Sequence, residues 1–382
     1  MSTYVEGSSM IKQRTGVGQF TKRLLEAYGK EYPEAHIKIF GFKFFTQGEP
    51  EYPIKSSSKL EYNINRWLPG RVYNQLFKYN IAPPIDLLLG ARKSDVFLYP
   101  NFVQFPMLYN NKSMLMIHDL SFVHFSQFTH PKDLPYKLKY VPASVKKASR
   151  IITISENSKK EIMEYYGVEE SRISLVHPAV DTKYFYRKPQ KDIQRVRKKY
   201  CLPSKYILYA GTIEPRKNID GLLNAYASLD KSIISIYGLV LAGGKGWQDD
   251  GILERIQKLK DSGFNIVQTG YVPDEDLPAI YSGATLFVFP SHYEGFGIPP
   301  LEAMACGVPV ISANNSSLSE AVGDAGILVD ASNTQQLGIS IESLIRSGKR
   351  RKELVNKGYV QLKKFTWEKA ARELNDAINL VR

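Results

Sequence analysis

The chain has 382 residues, of which 43% are hydrophobic, 23% charged and 12% aromatic, a balance that fits a soluble globular protein of two domains and excludes a disordered or fibrous one. Its two cysteines, Cys201 and Cys306, match no metal or redox spacing, which excludes a disulfide scaffold and a zinc site and fits a reducing compartment. The net charge of +13 is uneven, with 27 Lys and Arg against 17 Asp and Glu in residues 1–188 and 24 against 21 thereafter. A basic first half points to an anionic partner, such as a phosphate, an acidic lipid surface or a nucleic acid, or to a plain lysine-rich surface.

In chain order, Met1–Val5 reads as a short first strand. Gly16-Val-Gly18 then precedes a helix with Phe20, Leu24 and Tyr28 on one face. Strands are expected at Ile37–Phe40, Val96–Tyr99, Met114–Ile117, Arg150–Ile154 and Ile173–Val176. Between the first two, Lys59–Lys78 interleaves Arg66, Trp67, Arg71, Tyr73, Phe77 and Lys78. That mixture reads either as a membrane-surface segment, with Lys132, Lys137, Lys139, Lys146 and Lys147 as a second basic stretch, or as an amphipathic helix packing its rings inward. Polar Asp181–Asp192, with Pro189, interrupts the periodicity and marks the boundary. Beyond it, strands at Tyr206–Ala210, Ser235–Ala242, Asn265–Thr269, Leu286–Pro290, Val308–Ser312 and Gly326–Asp330 alternate with helices such as Ile219–Leu229, Gly251–Ser262 and Pro300–Cys306. This is the pattern of parallel sheets covered by helices. The expected domains are residues 1–185 and 186–361, with 362–382 as a terminal helix crossing back to the first. No charged-then-apolar leader follows Met1 and no apolar run approaches the roughly 18 residues of a membrane span, so a cytoplasmic location is expected.

Ligands of doubly wound sheets bind beyond the carboxyl ends of the strands. The richest such place is Phe289–Pro309, where Glu294-Gly295-Phe296-Gly297 leads into a helix carrying Glu302. The glycines let backbone N–H groups approach an anion or sugar hydroxyls at a helix start. The two carboxylates can accept hydrogen bonds from hydroxyl pairs, or they are simply two solvated acids. After Tyr206–Ala210 comes Gly211-Thr-Ile-Glu-Pro-Arg216-Lys217-Asn218. There Arg216 offers a planar fork and Lys217 a mobile point charge to a pyrophosphate. In the first half, Ile117-His118-Asp119 ends a strand, where a histidine is either structural or part of a site. Gly16 and Gly18 could bring backbone donors to a phosphate, or form a tight turn.

Taken together, these motifs resemble the retaining GT-B glycosyltransferases of family 4 (glycosyl transferases group 1), whose signature is Glu-Gly-Phe-Gly with a second Glu eight positions on. The likeness extends from Thr15-Gly16-Val-Gly18 to the terminal helix. It implies an α/β fold of two doubly wound Rossmann-like domains facing across a cleft, and a nucleoside diphosphate sugar as donor with no cofactor or metal. By resemblance Glu294 and His118 meet the donor sugar, Gly295, Phe296 and Gly297 hold it through backbone groups, and Glu302 takes the ribose. Arg216 and Lys217, with Gly211 at the strand end, take the diphosphate. Many relatives carry an arginine where Thr212 stands, which leaves the phosphates to Arg216 and Lys217 alone. The motif style resembles bacterial surface-polysaccharide mannosyltransferases, which makes GDP-mannose the expected donor and a glycan or lipid-linked glycan the acceptor. The basic first half adds an expected docking surface, the anionic inner face of the cytoplasmic membrane.

Other readings remain. Asp274-Glu-Asp276 imitates a metal-binding acidic pair, but its place before Leu277–Tyr281 suits helix capping. Gly243-Gly-Lys-Gly246 lacks the frame of a P-loop. A glycoside hydrolase would need a raised-pKa acid that the sequence does not reveal. A nucleotide-sugar epimerase and a noncatalytic sugar-nucleotide sensor share the architecture, whereas no recognition helix, zinc knuckle or aromatic signature supports nucleic-acid binding.

Overall fold

A computed structural model describes residues 1–12, 16–42, 54, 59–65, 69–109, 112–246 and 250–382. The chain divides into two compact units, Met1–Pro178 with Trp367–Arg382, and Ala179–Thr366. The changeovers thus fall at 178/179 and 366/367, where the sequence reading placed them at 185/186 and 361/362.

In the first unit, strands β1 (Ser2–Glu6), β2 (His36–Phe42), β3 (Leu60–Asn65), β4 (Val96–Tyr99), β5 (Ser113–Met116), β6 (Arg150–Thr153) and β7 (Ile173–Leu175) form one sheet in the order β3-β2-β1-β4-β5-β6-β7. All neighbours run parallel, with Tyr4 opposite Lys38 on one side and Phe97 on the other. β4 and β5 are buried at every position, as a parallel strand covered on both faces requires. Tyr4 and Phe97 stack at 4.9 Å. The helix Gly16–Glu31 buries Phe20, Leu24 and Tyr28, as its periodicity foretells. It packs on the terminal helix Trp367–Asn379, whose Ala370, Ala371, Leu374, Ala377 and Ile378 form the matching buried stripe. The backbone N–H and Nδ1 of His177 both meet Glu373, at 2.8 and 2.9 Å, which ties that helix to the end of the first segment.

β3 corrects the reading of Lys59–Lys78 as one interleaved segment. Leu60–Asn65 extends the sheet edge, and a separate helix, Gly70–Lys78, buries Tyr73 and Phe77. For these two rings the inward-packing alternative holds; Arg66 and Trp67 lie outside the described residues.

In the second unit, β8 (Lys205–Ala210), β9 (Tyr237–Ala242), β10 (Ile266–Gly270), β11 (Leu286–Phe289), β12 (Val310–Ala313) and β13 (Gly326–Val329) repeat the arrangement as β10-β9-β8-β11-β12-β13, again all parallel. Each sheet therefore reverses its winding at its first strand, β1 or β8, and the carboxyl ends beside that reversal are where such sheets hold ligands. Among the described residues no helix is long and apolar enough to cross a membrane.

Candidate functional site

The loops after β8, β11 and β12 meet at the carboxyl edge of the second sheet. After β8, Pro215–Lys217 makes one 3-10 turn and Asn218 adopts φ 55°, a left-handed conformation that asparagine tolerates. Asn218 Oδ1 caps the helix Ile219–Ala227 by accepting from Gly221 N–H at 3.2 Å. Its Nδ2 donates to Pro290 O and Ala331 O, at 3.0 and 2.7 Å, joining the ends of β8, β11 and β13. Gly211, at φ 149°, faces the next loop so closely that a Cβ on Gly243 would lie 1.9 Å from Gly211 O. Gly243 is therefore a packing glycine shaping the edge of the site.

After β11, Glu294–Gly297 runs buried into the helix Ile298–Ala305, which begins at Ile298 with two prolines in its first turn, ahead of the expected Pro300. Gly297 has φ 129°, and a Cβ there would meet Leu318 Cδ2 at 2.9 Å. Two hydroxyls fix this loop: Glu294 N–H donates to Ser316 Oγ at 3.1 Å, and Ser317 Oγ donates to Glu294 O and Phe296 O at 2.7 and 2.9 Å. The Phe296 ring packs edge-on against Phe365 at 5.1 Å, so only its backbone is available to a ligand. Sequence reasoning missed Ser316 and Ser317, although their position directly beyond β12 was the available signal.

Arg216, Lys217 and Glu294 come together. Lys217 Nζ donates to Glu294 Oε1 at 2.6 Å and Arg216 Nη1 to Glu294 Oε2 at 3.0 Å. Arg216 also donates to Tyr293 O at 2.7 Å and to Glu214 Oε1 at 2.8 Å. Burial alone would raise the Glu294 carboxyl, but Lys217 and Arg216 outweigh it and hold the pKa down to about 2. Two cations and two carboxylates leave the cluster neutral, with both cations aimed by their partners rather than searching solvent.

Glu302 stands apart from this cluster. Tyr281 Oη donates to its Oε2 at 2.9 Å, and burial, opposed by that bond and reinforced by Asp274, raises its carboxyl to about 7. A raised acid is thus present, contrary to the expectation that none would be found. Asp276 is a second correction. Its side chain caps nothing; fully buried, it binds Arg195, Lys199 and Tyr200 at 2.7, 2.6 and 2.7 Å and fastens the helix Gln190–Lys199.

His118 belongs to the first unit, just beyond β5. Its Nε2 lies 2.8 Å from Pro100 O, a carbonyl that can only accept, so Nε2 carries the hydrogen and Nδ1 is left as an acceptor. Burial lowers its pKa against the pull of that carbonyl and of Asp119, which favours the neutral ring between Phe20 and Phe102. Gly16 and Gly18 do not precede their helix as expected but form its first turn. Gly16 is exposed with open space around it, whereas Gly18 is buried.

The family described as glycosyl transferases group 1 matches residues 191–361, and glycosyltransferase family 4 matches residues 15–184. The O-antigen chain mannosyltransferase B of Escherichia coli is 34% identical over 372 residues, 96% of each chain. Among solved structures, sucrose-phosphate synthase from Thermosynechococcus elongatus superposes with a TM-score of 0.74 over 98% of both chains at 22% identity. The Anabaena protein HepE, solved with UDP and glucose, gives 0.69 over 99% of this chain and 98% of its own at 15% identity. A relative this similar over nearly the full length, together with two family matches that follow the two sheets, establishes that the chain belongs to the family 4 glycosyltransferases and is a glycosyltransferase of the GT-B fold.

Proposed function

We propose that this glycosyltransferase moves a hexose, mannose first, from a nucleoside diphosphate sugar, GDP-mannose first, to a glycan or lipid-linked glycan acceptor in surface-polysaccharide synthesis, with retention at the anomeric carbon. The observation that carries this reading is the pairing of Arg216 and Lys217 on Glu294 at the carboxyl edge of the second sheet. The mannosyltransferase that resembles the chain over 96% of its length supports the choice of sugar and polymer.

In this reading Arg216 and Lys217 stabilise the diphosphate as its bond to the sugar breaks, and Glu294 receives sugar hydroxyls while keeping both cations in place. The backbone of Gly295–Gly297, at the start of a helix, faces the sugar, and Glu302 takes the ribose hydroxyls. His118 presents Nδ1 to a sugar hydroxyl. The acceptor oxygen bonds to the anomeric carbon on the face that the diphosphate leaves, and the acceptor proton passes to a diphosphate oxygen. In this reading the Arg216 and Lys217 donors contact the diphosphate oxygens directly, in the place a metal ion would otherwise take. The basic surplus of residues 1–188 supports work at an anionic membrane surface on the cytoplasmic side.

A panel of donors, with the product anomer read by NMR, tests the reading. Mannosyl transfer with retention that survives a chelator is expected. An inverted product or strict dependence on manganese would overturn the mechanism, and sugar-nucleotide turnover without any acceptor would identify an epimerase instead.

A further inference from the structure

In the first unit the C-terminal end of the helix Gly70–Lys78 touches the helix Leu134–Lys147, with Phe77 and Tyr140 in ring contact at 4.9 Å and Tyr140 Oη donating to Lys78 O at 3.4 Å. Beside this contact lies an open cavity of about 660 Å³, lined by Lys78, Lys132 and Lys139 and by Tyr79, Tyr136 and Tyr140. That volume suits a ligand of one or two sugar rings. All three lysines are exposed and make no ion pair among the described residues, unlike Lys159, Lys199 and Lys217, each of which is bound to a carboxylate. Tyr136 and Tyr140 adjoin at 4.8 Å, Lys139 Nζ stands 5.0 Å from the Tyr140 ring, and Tyr79 is 73% exposed.

We propose that this groove binds a phosphorylated saccharide. Tyrosine rings offer the flat apolar surface on which the C–H face of a pyranose rests, and three unpaired ammonium groups supply the charge for a phosphate ester. The other polar linings decide against a bilayer. Asn74, Gln75 and Asp133 also face the cavity, and the Asp133 carboxylate makes no capping bond to its helix. Amides and a carboxylate suit sugar hydroxyls, whereas a bilayer surface does not fill a concavity. The same helix carries Lys137, whose Nζ lies 4.4 Å from the ring of Phe102, a neighbour of His118. The groove is therefore built on an element that also reaches the histidine. The proposed transfer reaction supplies only the purpose of the bound molecule, an acceptor bearing phosphate; the binding itself stands without it.

The test uses the full-length protein labelled with 3-fluorotyrosine and titrated with mannose 1-phosphate, mannose, inorganic phosphate and phosphatidylglycerol vesicles. The resonances of Tyr79, Tyr136 and Tyr140 are expected to move with mannose 1-phosphate. Affinity should fall roughly tenfold in the Lys78→Gln/Lys132→Gln/Lys139→Gln variant and in Tyr79→Ala, whose exposed side chain can be removed without touching the core. Unchanged affinity in both variants would overturn the site. So would equal binding of inorganic phosphate, or shifts produced only by vesicles. Nucleoside diphosphate binding, followed in the same samples, reports separately on the second unit, so absent sugar transfer with intact groove binding would refute the transfer reading and leave the groove.

Discussion

The carboxyl edges of the two sheets share a topology and differ in how they handle charge. In the second unit Arg216, Lys217, Glu214 and Glu294 are paired with one another within 3.0 Å. In the first, the residue at the corresponding edge is a neutral histidine among aromatic rings, while Lys78 and Lys139 on helices and Lys132 in a turn make no ion pair among the described residues. Cations that must meet a leaving group in one geometry gain from being oriented in advance. Cations that attract a partner by their summed field do not need such order.

Removing one member of the ordered cluster should have the largest effect. On the proposed reading, Lys217→Ala takes a charge-assisted contact from the departing diphosphate, at an expected cost of about 2–4 kcal/mol of barrier, or roughly 30- to 1000-fold in kcat. KM for the donor should move far less, because the contact strengthens as charge develops. Steady-state kinetics with the identified donor check this, and wild-type turnover would remove the diphosphate from this edge.

The two glutamates of the site should respond to pH in opposite senses. Glu294, held down to about 2, stabilises the fold above its ordinary value of 4.5, and this contribution is lost as the pH falls toward 2. Glu302, raised from 4.5 to about 7, is a burden that is absent below 4.5, grows as the pH rises and is complete above 7. Glu302→Gln should therefore gain stability over the parent between pH 5 and 8, by at most about 3 kcal/mol, while nucleotide affinity drops. Denaturant melts across that range, paired with nucleotide titrations, decide the matter; a stability difference flat with pH would show that Glu302 is not strained in this way.

The contrast also explains what was legible in the sequence. Glycine and proline punctuate backbone geometry locally, so the loop at Glu294–Gly297 and the cations after β8 could be found from order and spacing. Continuous apolar runs marked the buried strands. Leu60–Asn65 was missed because it is an edge strand, half polar, next to an aromatic helix whose composition dominated the segment. The same locality limits the charges: Asp276 looked like a cap, since its partners Arg195 and Lys199 lie some 80 residues earlier and meet it only through tertiary packing. Nor does a residue list reveal that burial, reinforced by Asp274 and opposed by the Tyr281 hydroxyl, raises Glu302.

Asp276 shows that pairing by itself does not make a site. Burial opposes its charge, but Lys199, Tyr200 and Arg195 prevail and lower its carboxyl to about 2. Asp276→Asn should cost about 1–2 kcal/mol of stability, discounted because both cationic partners are half exposed. Donor kinetics should stay within twofold of the parent. Chemical denaturation beside a kinetic assay tests this, and a large fall in kcat with unchanged stability would blur the distinction between the paired site and a paired scaffold.

The smallest effect is expected from the unordered cations of the first unit. Arg71, Lys146 and Lys147 are exposed, lie on the helices Gly70–Lys78 and Leu134–Lys147, and do not line the tyrosine groove. If the first unit docks on anionic lipid, each contributes about 1 kcal/mol near the surface at low salt, through a field that fades over a Debye length of about 10 Å at 0.1 M salt. Replacing all three with Ser should weaken sedimentation with phosphatidylglycerol vesicles, most at low salt, while leaving nucleotide binding by the second unit untouched. Arg216 and Lys217 cannot substitute for them, because Glu294 and Glu214 already neutralise that cluster. Equal partitioning of the parent onto neutral and anionic vesicles would detach the basic surplus from membranes and leave a dissolved saccharide as the acceptor.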